Sequence, residues 1–236
     1  MSEFFIELFS EEIPANLQNK TRQDFFQNLK EFLEKEDIKY SGEATAFSIP
    51  NRLIVYFQNI SKKINKKENE IRGPNINAPE DALNGFLKSY KISIDKTYKK
   101  KTDKGEFYFF KKPSESIETK FVLQKNLPKI LDKISWKKSM RWADHELYWG
   151  RPLKSILCCF DNKILEFEYH HLVSSDITFI DKDFEQKTKK FVKFKDYIAF
   201  FKSQNIILDN KKREQFIVDQ LNRIAKKENL KIHFNS

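Results

Sequence analysis

Short extended runs alternate with amphipathic helical stretches along this chain, without the regular strand–helix–strand rhythm that a parallel sheet requires. That confines it to an α+β fold, with mixed, mainly antiparallel sheets and packed helices. The first stretch sets the pattern. Residues 4–9 read as a half-buried strand, and Pro14 suits the first turn of a helix, where its missing N–H costs nothing. Leu17, Thr21, Phe25, Leu29, Phe32 and Leu33 then recur at helical spacing and form one apolar stripe. Glu11 and Glu12 would lie near the positive end of that helix, where carboxylates stabilise the dipole.

Further along, residues 44–49 and 53–60 form a hairpin around the turn Pro50-Asn51-Arg52. The polar run 61–70 ends in a loop signal, Arg72-Gly73-Pro74, and Pro79 opens a short helix carrying Leu83, Phe86, Leu87 and Tyr90. Residues 94–101 and 106–112 read as a second hairpin across Thr102-Asp103-Lys104-Gly105. A helix over 116–134 is expected to be interrupted or kinked near Pro128. Strands at 153–160 and 163–170 join at Asp161-Asn162, and helices follow at 196–202 and 209–228. The last has a stripe of Phe216, Ile217, Gln220, Leu221 and Ile224. The chain stops at Asn235-Ser236 shortly after a helix, which reads as a fragment boundary.

At 236 residues the chain can bury a real core. Its 44 Lys and Arg against 34 Asp and Glu give a net charge of +10, which fits a polyanion such as RNA and equally fits a solvated lysine surface. The cysteines, Cys158 and Cys159, are adjacent in an apolar run, and neighbouring strand positions point to opposite faces, so they are poorly placed to bridge. A reduced, cytoplasmic protein is the simplest reading. His145, His170, His171 and His233 show no zinc-ligand spacing with them, and no metal is expected. No apolar run of about 18 residues exists, so no membrane-spanning helix and no membrane partner is expected.

Several short motifs, taken in order, carry a resemblance. Glu7-Leu8-Phe9-Ser10-Glu11-Glu12-Ile13-Pro14 opens the chain, followed by Pro50-Asn51-Arg52-Leu53, Arg72-Gly73-Pro74 and Lys104-Gly105-Glu106-Phe107. Lys138-Ser139-Met140-Arg141-Trp142 follows, with Arg151-Pro152 nine residues after the tryptophan. Together they resemble the β subunit of bacterial tetrameric glycyl-tRNA synthetase. The resemblance implies a B3/B4-like tRNA-synthetase accessory domain over residues 1–175 and the start of a mostly helical segment over 176–236. It implies a tRNA-binding and assembly role toward tRNA(Gly), with a separate α subunit in an α2β2 tetramer. That subunit would bind glycine and ATP with Mg and perform the chemistry, leaving no cofactor and no catalytic residue in this chain. The family's Gly-His-Arg-Phe stretch reads Asp181-Lys182-Asp183-Phe184 here, so only the phenylalanine is kept.

For RNA contact the candidates are Arg52, Arg72, Lys138, Arg141, Trp142 and Arg151. A guanidinium grips phosphate with two N–H bonds and stacks on bases, and Trp142 and Trp149 offer ring faces. Trp142 and Trp149 read as readily as core residues, and Arg141 and Arg151 as readily as partners of carboxylates such as Asp144 or Glu146. Arg52 and Arg72 lie in turns beside prolines, which predicts exposure or a role in fixing the turn. Lysines in 62–67 and 96–104 would add phosphate attraction or a solvated face. Two alternatives to the leading function are an editing-type hydrolase of mischarged tRNA and a module for protein interaction alone.

Overall fold

The computed structural model describes residues 2–66, 68–180 and 187–233. The chain divides into two compact units, a larger one from residues up to 62 and from 118 onward, and an inserted one over 63–117. Five α-helices lie among the described residues.

The larger unit begins with β1 (Ser2–Ser10), α1 (Ala15–Lys35) and the hairpin β2 (Ala44–Ile49) and β3 (Arg52–Ile60). The inserted unit follows with β4 (Lys63–Lys66), β5 (Asn69–Asn75), α2 (Glu80–Tyr90), β6 (Thr97–Thr102), β7 (Gly105–Lys112) and β8 (Glu115–Glu118). The chain then returns through α3 (Thr119–Leu131), β9 (Leu153–Phe160), β10 (Lys163–Ile164) and the short hairpin β11 (Glu168–Tyr169) and β12 (Leu172–Val173). It ends with β13 (Ile177–Phe179), β14 (Thr188–Lys190), α4 (Phe194–Ser203) and α5 (Asn210–Lys227). The strand pairs β1–β3, β1–β9, β9–β10, β11–β12, β13–β14, β2–β3, β5–β7 and β6–β7 are antiparallel.

The main sheet has the order β10-β9-β1-β3-β2, which makes the first strand central. Half-burial was expected for it. Instead Phe4 and Phe5, which point to opposite faces, are both fully buried, because helices cover the sheet on both sides. On one face α4 sets Phe194, Tyr197 and Phe201 against Phe5, Ile54, Tyr56 and Leu157. Tyr56 and Phe194 stack with ring centroids 3.9 Å apart. The next residue, Phe57, points the other way and stacks on Phe26 of α1 at 5.4 Å. The stripe of α1 buries Thr21, Phe25, Leu29 and Leu33, and α3 packs on that helix. Phe191, Phe194, Tyr197 and Phe201 belong to the same core as residues 5–56. A change toward helical sequence after residue 175 is thus a change of local structure and not of core.

Several boundaries differ from the sequence reading for definable reasons. Arg52 belongs to β3 because Ile49 pairs directly with Arg52, leaving a two-residue turn, Pro50-Asn51. The helix predicted over 116–134 is shorter and runs through Pro128 without interruption, held by buried Leu123, Leu127, Ile130 and Leu131 around it. The strand predicted over 163–170 breaks after Ile164, where the Ser174 hydroxyl donates to Leu165 O and accepts from Phe167 N–H.

In the inserted unit the three-stranded sheet has the order β5-β7-β6, and α2 lies on the Phe110 face through Phe86 and Tyr90. Arg72-Gly73-Pro74 is not a loop but part of β5. The register shifts between Arg72 and Asn75, and an edge strand tolerates such a bulge and a proline without a donor. Residues 94–96 form a 3-10 turn before β6 instead of extending it.

Candidate nucleic-acid interface

The main sheet places a buried charge under α4. Glu7 is fully buried and accepts from Arg52 Nε at 3.1 Å, from the Thr178 hydroxyl and from the Tyr197 hydroxyl. Arg52 donates further to Asn51 Oδ1 at 2.7 Å and to Phe179 O. Its guanidinium also lies 4.6 Å from the Phe9 ring centroid and 4.9 Å from that of Phe201. Alternation along β3 forces this, since Arg52 points to the same side as Ile54 and Tyr56. Arg52 was a candidate RNA contact with an exposed side chain. At 2% exposure it is instead the counter-ion of a buried carboxylate.

Beyond that ion pair the strand ends open into a cleft of about 920 Å³. Backbone bonds knit its floor. Ser10 N–H donates to Asn51 O at 2.9 Å, Ile13 N–H to Pro50 O at 2.6 Å, and Glu11 N–H to Pro152 O at 2.9 Å. Three of the sequence motifs are thereby fastened to one another. Glu11 and Glu12 do not occupy the first turn of α1, which has no acidic residue, because Pro14 is the cap and both precede it. They line the cleft, with Glu11 paired to Lys154.

The wall is a loop closed by a backbone bridge between Met140 and Trp149, with N–H donors to carbonyls at 2.8 and 3.1 Å. Trp149 is 2% exposed, so it packs as core and offers no face to a base. Gly150 is required here, since a Cβ would fall 2.1 Å from the Trp136 ring. Trp142 lines the cleft, and so does Arg151, whose Nε donates to Glu12 O at 3.2 Å. Lys138 and Arg141 are exposed on the same loop, and the Arg141 guanidinium lies 5.8 Å from the Tyr148 ring.

Sequence reading missed two histidines in the cleft. His171 sits in the two-residue turn between β11 and β12, where His170 takes a positive φ of 52°. Its ring stacks face to face on His145 at 3.6 Å, and Trp142 meets both edge-on at 5.6 and 6.1 Å. Reduced solvation, then the neighbouring His145 and His170, hold the His171 imidazole below its ordinary pKa, which favours the neutral ring. The spacing Trp142-x-x-His145 was a legible signal, but the partner histidine is remote in sequence. The cleft therefore offers ring faces, a cation at Arg151 and carboxylates at Glu11 and Glu12. Among the described residues no group of three or more His, Cys, Asp or Glu is placed to hold a metal ion. None of the described helices is long and apolar enough to cross a membrane.

The family described as "Glycyl-tRNA synthetase beta subunit" matches residues 4–236. The chain belongs to this family. It is 36% identical over 234 residues to the glycine--tRNA ligase beta subunit of Rickettsia felis, covering 98% of this chain and 35% of the relative. It is 36% identical over 233 residues to the protein of that name in Rickettsia prowazekii, with the same coverage, and 34% identical over 232 residues to that of Rickettsia akari. The chain thus spans about 35% of the length of the curated relatives it matches. Of the family motifs, the opening one, Pro50-Asn51-Arg52-Leu53 and Arg151-Pro152 meet at the cleft, whereas Arg72 belongs to the inserted unit. Asp181-Lys182-Asp183-Phe184, where the family stretch departs, lies outside the described residues.

Proposed function

We propose that this chain is the tRNA-binding and assembly portion of a glycine–tRNA ligase β subunit, built on a B3/B4-like accessory domain. It supports ATP-dependent attachment of glycine to tRNA(Gly) in the cytoplasm. The α subunit of an α2β2 tetramer binds glycine, ATP and Mg and carries out both chemical steps. The observation that supports this most is the fastening of the opening motif to Pro50-Asn51 and Pro152 beside Trp142 and Arg151. Such an arrangement presents a stacking ring and a guanidinium in one concave place, as unpaired nucleotides require.

Arg141→Glu combined with Arg151→Glu is expected to weaken tRNA binding by about tenfold or more while leaving the thermal midpoint nearly unchanged, since both side chains are exposed. Unchanged affinity at physiological salt removes this cleft from RNA binding. Editing-type hydrolysis is favoured by the neutral His171 beside His145, which could take up a proton from water. The same titration run with mischarged tRNA distinguishes the readings. Release of free amino acid above background, abolished by His171→Ala, assigns the cleft to hydrolysis.

A further inference from the structure

Where α5 meets the main sheet, two arginines converge on one residue of the edge strand β2. Arg22 of α1 donates from Nη1 to the Ser48 hydroxyl at 3.3 Å and from Nη2 to Asn19 Oδ1. Arg213 of α5 donates from Nη2 to Ser48 O at 3.1 Å, and from Nη1 to Ile207 O at 2.8 Å and Leu208 O at 3.4 Å. Both arginines are half-buried. Arg52 has Glu7 as its counter-ion, but among the described residues neither Arg22 nor Arg213 has a carboxylate within ion-pair distance. Asp209 acts on Arg22 without touching it. Its Oδ1 is taken by the N–H groups of Lys211 and Lys212, and its Oδ2 lies 3.9 Å from Lys212 Nζ. Burial, then the charge of Arg213, lower the Arg22 pKa against the opposing pull of Asp209. Two half-buried like charges without a counter-ion cost free energy, and an anion between them would remove that cost.

We propose that Arg22 and Arg213, with the Ser48 hydroxyl, form a site for a phosphate dianion, either inorganic phosphate or a terminal phosphate monoester. A guanidinium has five N–H donors, and the bonds above use two on Arg22 and three on Arg213, which leaves donors for an anion on both. Ser48 is fully buried, and its hydroxyl accepts from Arg22 and from Asn210 Nδ2 at 3.2 Å while donating to no acceptor among the described residues. An anion oxygen gives that proton a partner. The 3.3 Å bond from Arg22 is long for an N–H donor, so little is lost when Arg22 turns toward the anion. Two positive charges arriving from two different helices match a tetrahedral dianion. A carboxylate brings a single charge and one planar pair of oxygens, enough for one fork. The RNA backbone carries one charge per phosphate and would leave the second guanidinium uncompensated.

Arg213 also has a simpler use, which is to hold the carbonyls of the segment between α4 and α5 against β2. That use accounts for Arg213 but not for a second cation set against it on α1. The consequence of the site falls on α5. Its first turn is tied to β2 by Asn210 and Arg213, both bonded to Ser48, whereas Phe216, Ile217, Leu221 and Ile224 stand exposed further along the helix. A phosphate shared by Arg22 and Arg213 fastens α5 to α1 as well, so its binding acts as a latch on the last helix. None of these residues lines the cleft, and the inference stands or falls separately from the tRNA contact proposed there.

The test titrates the whole chain with inorganic phosphate, against sodium acetate and sodium chloride at equal ionic strength. Saturating phosphate is expected to raise the thermal midpoint by about 2–4 °C, and to slow amide hydrogen exchange across residues 210–227. Arg22→Gln is expected to weaken phosphate binding by about tenfold or more. In phosphate-free buffer the same variant is expected to melt at the wild-type midpoint or above it, because a repulsion has been removed. A lower midpoint there would make Arg22 a structural fastening and overturn the site. An equal phosphate response in wild type and Arg22→Gln would mark the ion as adventitious and overturn it too, as would acetate or chloride acting as strongly as phosphate. Displacement of the bound phosphate by tRNA at physiological salt would hand the two arginines to the RNA backbone and overturn the assignment to a dianion.

Discussion

Arg52 and Arg72 occupy similar places in the sequence, each two residues from a proline, and the two units treat them in opposite ways. In the larger unit the sheet is covered on both faces, so Arg52 is 2% exposed and neutralises Glu7. In the inserted unit no residue of α2 is itself buried, and Arg72 remains exposed over a single ring. Burial of a charge thus depends on what the surrounding elements cover and not on the motif that carries it. The same cation is part of the core in one unit and available to a ligand in the other.

The contrast is broken or sharpened most strongly by removing each arginine. Arg52→Met should lower the unfolding free energy by about 3–5 kcal/mol, because it leaves Glu7 buried without its counter-ion. Arg72→Met should cost no more than about 1 kcal/mol, the worth of an exposed cation–ring contact. Urea unfolding of both variants measures the difference, and equal losses would erase it.

A smaller effect, of opposite sign in the two units, is expected at two glycines. Gly150→Ala should destabilise by about 1–3 kcal/mol, since the Trp136 ring must move to admit the methyl group. Gly85, inside α2, has nothing within 4 Å of a built Cβ, so Gly85→Ala should stabilise by about 0.5–1 kcal/mol through helix propensity. Thermal midpoints that shift in the same direction for both would contradict the difference in packing.

The smallest effect is the one expected of the surface tyrosine Tyr98 at alkaline pH. Burial raises the thiol of Cys158 and the phenol of Tyr197, and it pushes Cys159 and Tyr56 up to about 12. The unfolded chain releases the thiol protons near pH 9 and the phenol protons near 10 while the folded chain keeps them. Stability is therefore fully present below about pH 9 and declines as pH rises toward 12. Tyr98 in the inserted unit is also raised to about 12, first by its hydrogen bond to Glu70, but it lies on the surface, where the interaction is screened. Thermal midpoints from pH 8 to 11.5 should fall along nearly the same curve in Tyr98→Phe and wild type. A curve flattened by that substitution would place the alkaline sensitivity in the wrong unit.

Local pattern was enough to find much of the fold. The stripe of α1, the hairpin of β2 and β3, and helices α4 and α5 repeat every two or about 3.6 residues, and such periods are readable within a dozen positions. The break after Ile164 was not readable, because Ser174 causes it from nine residues away. The bulge at Gly73-Pro74 was mistaken for a loop because both signals use the same residue types. At the cleft, Trp142 and Arg151 were legible as motif residues, whereas His171 and Lys154 had no local mark.

Periodicity and motif order in the chain were sufficient to set the α+β class, most of its helices and hairpins, and the family. Folding alone selected which of the charged motif residues would be buried. Glu7 meets Arg52 across 45 residues and Tyr197 across 190, and the low-dielectric space that makes those contacts matter exists only once α4 closes over the sheet.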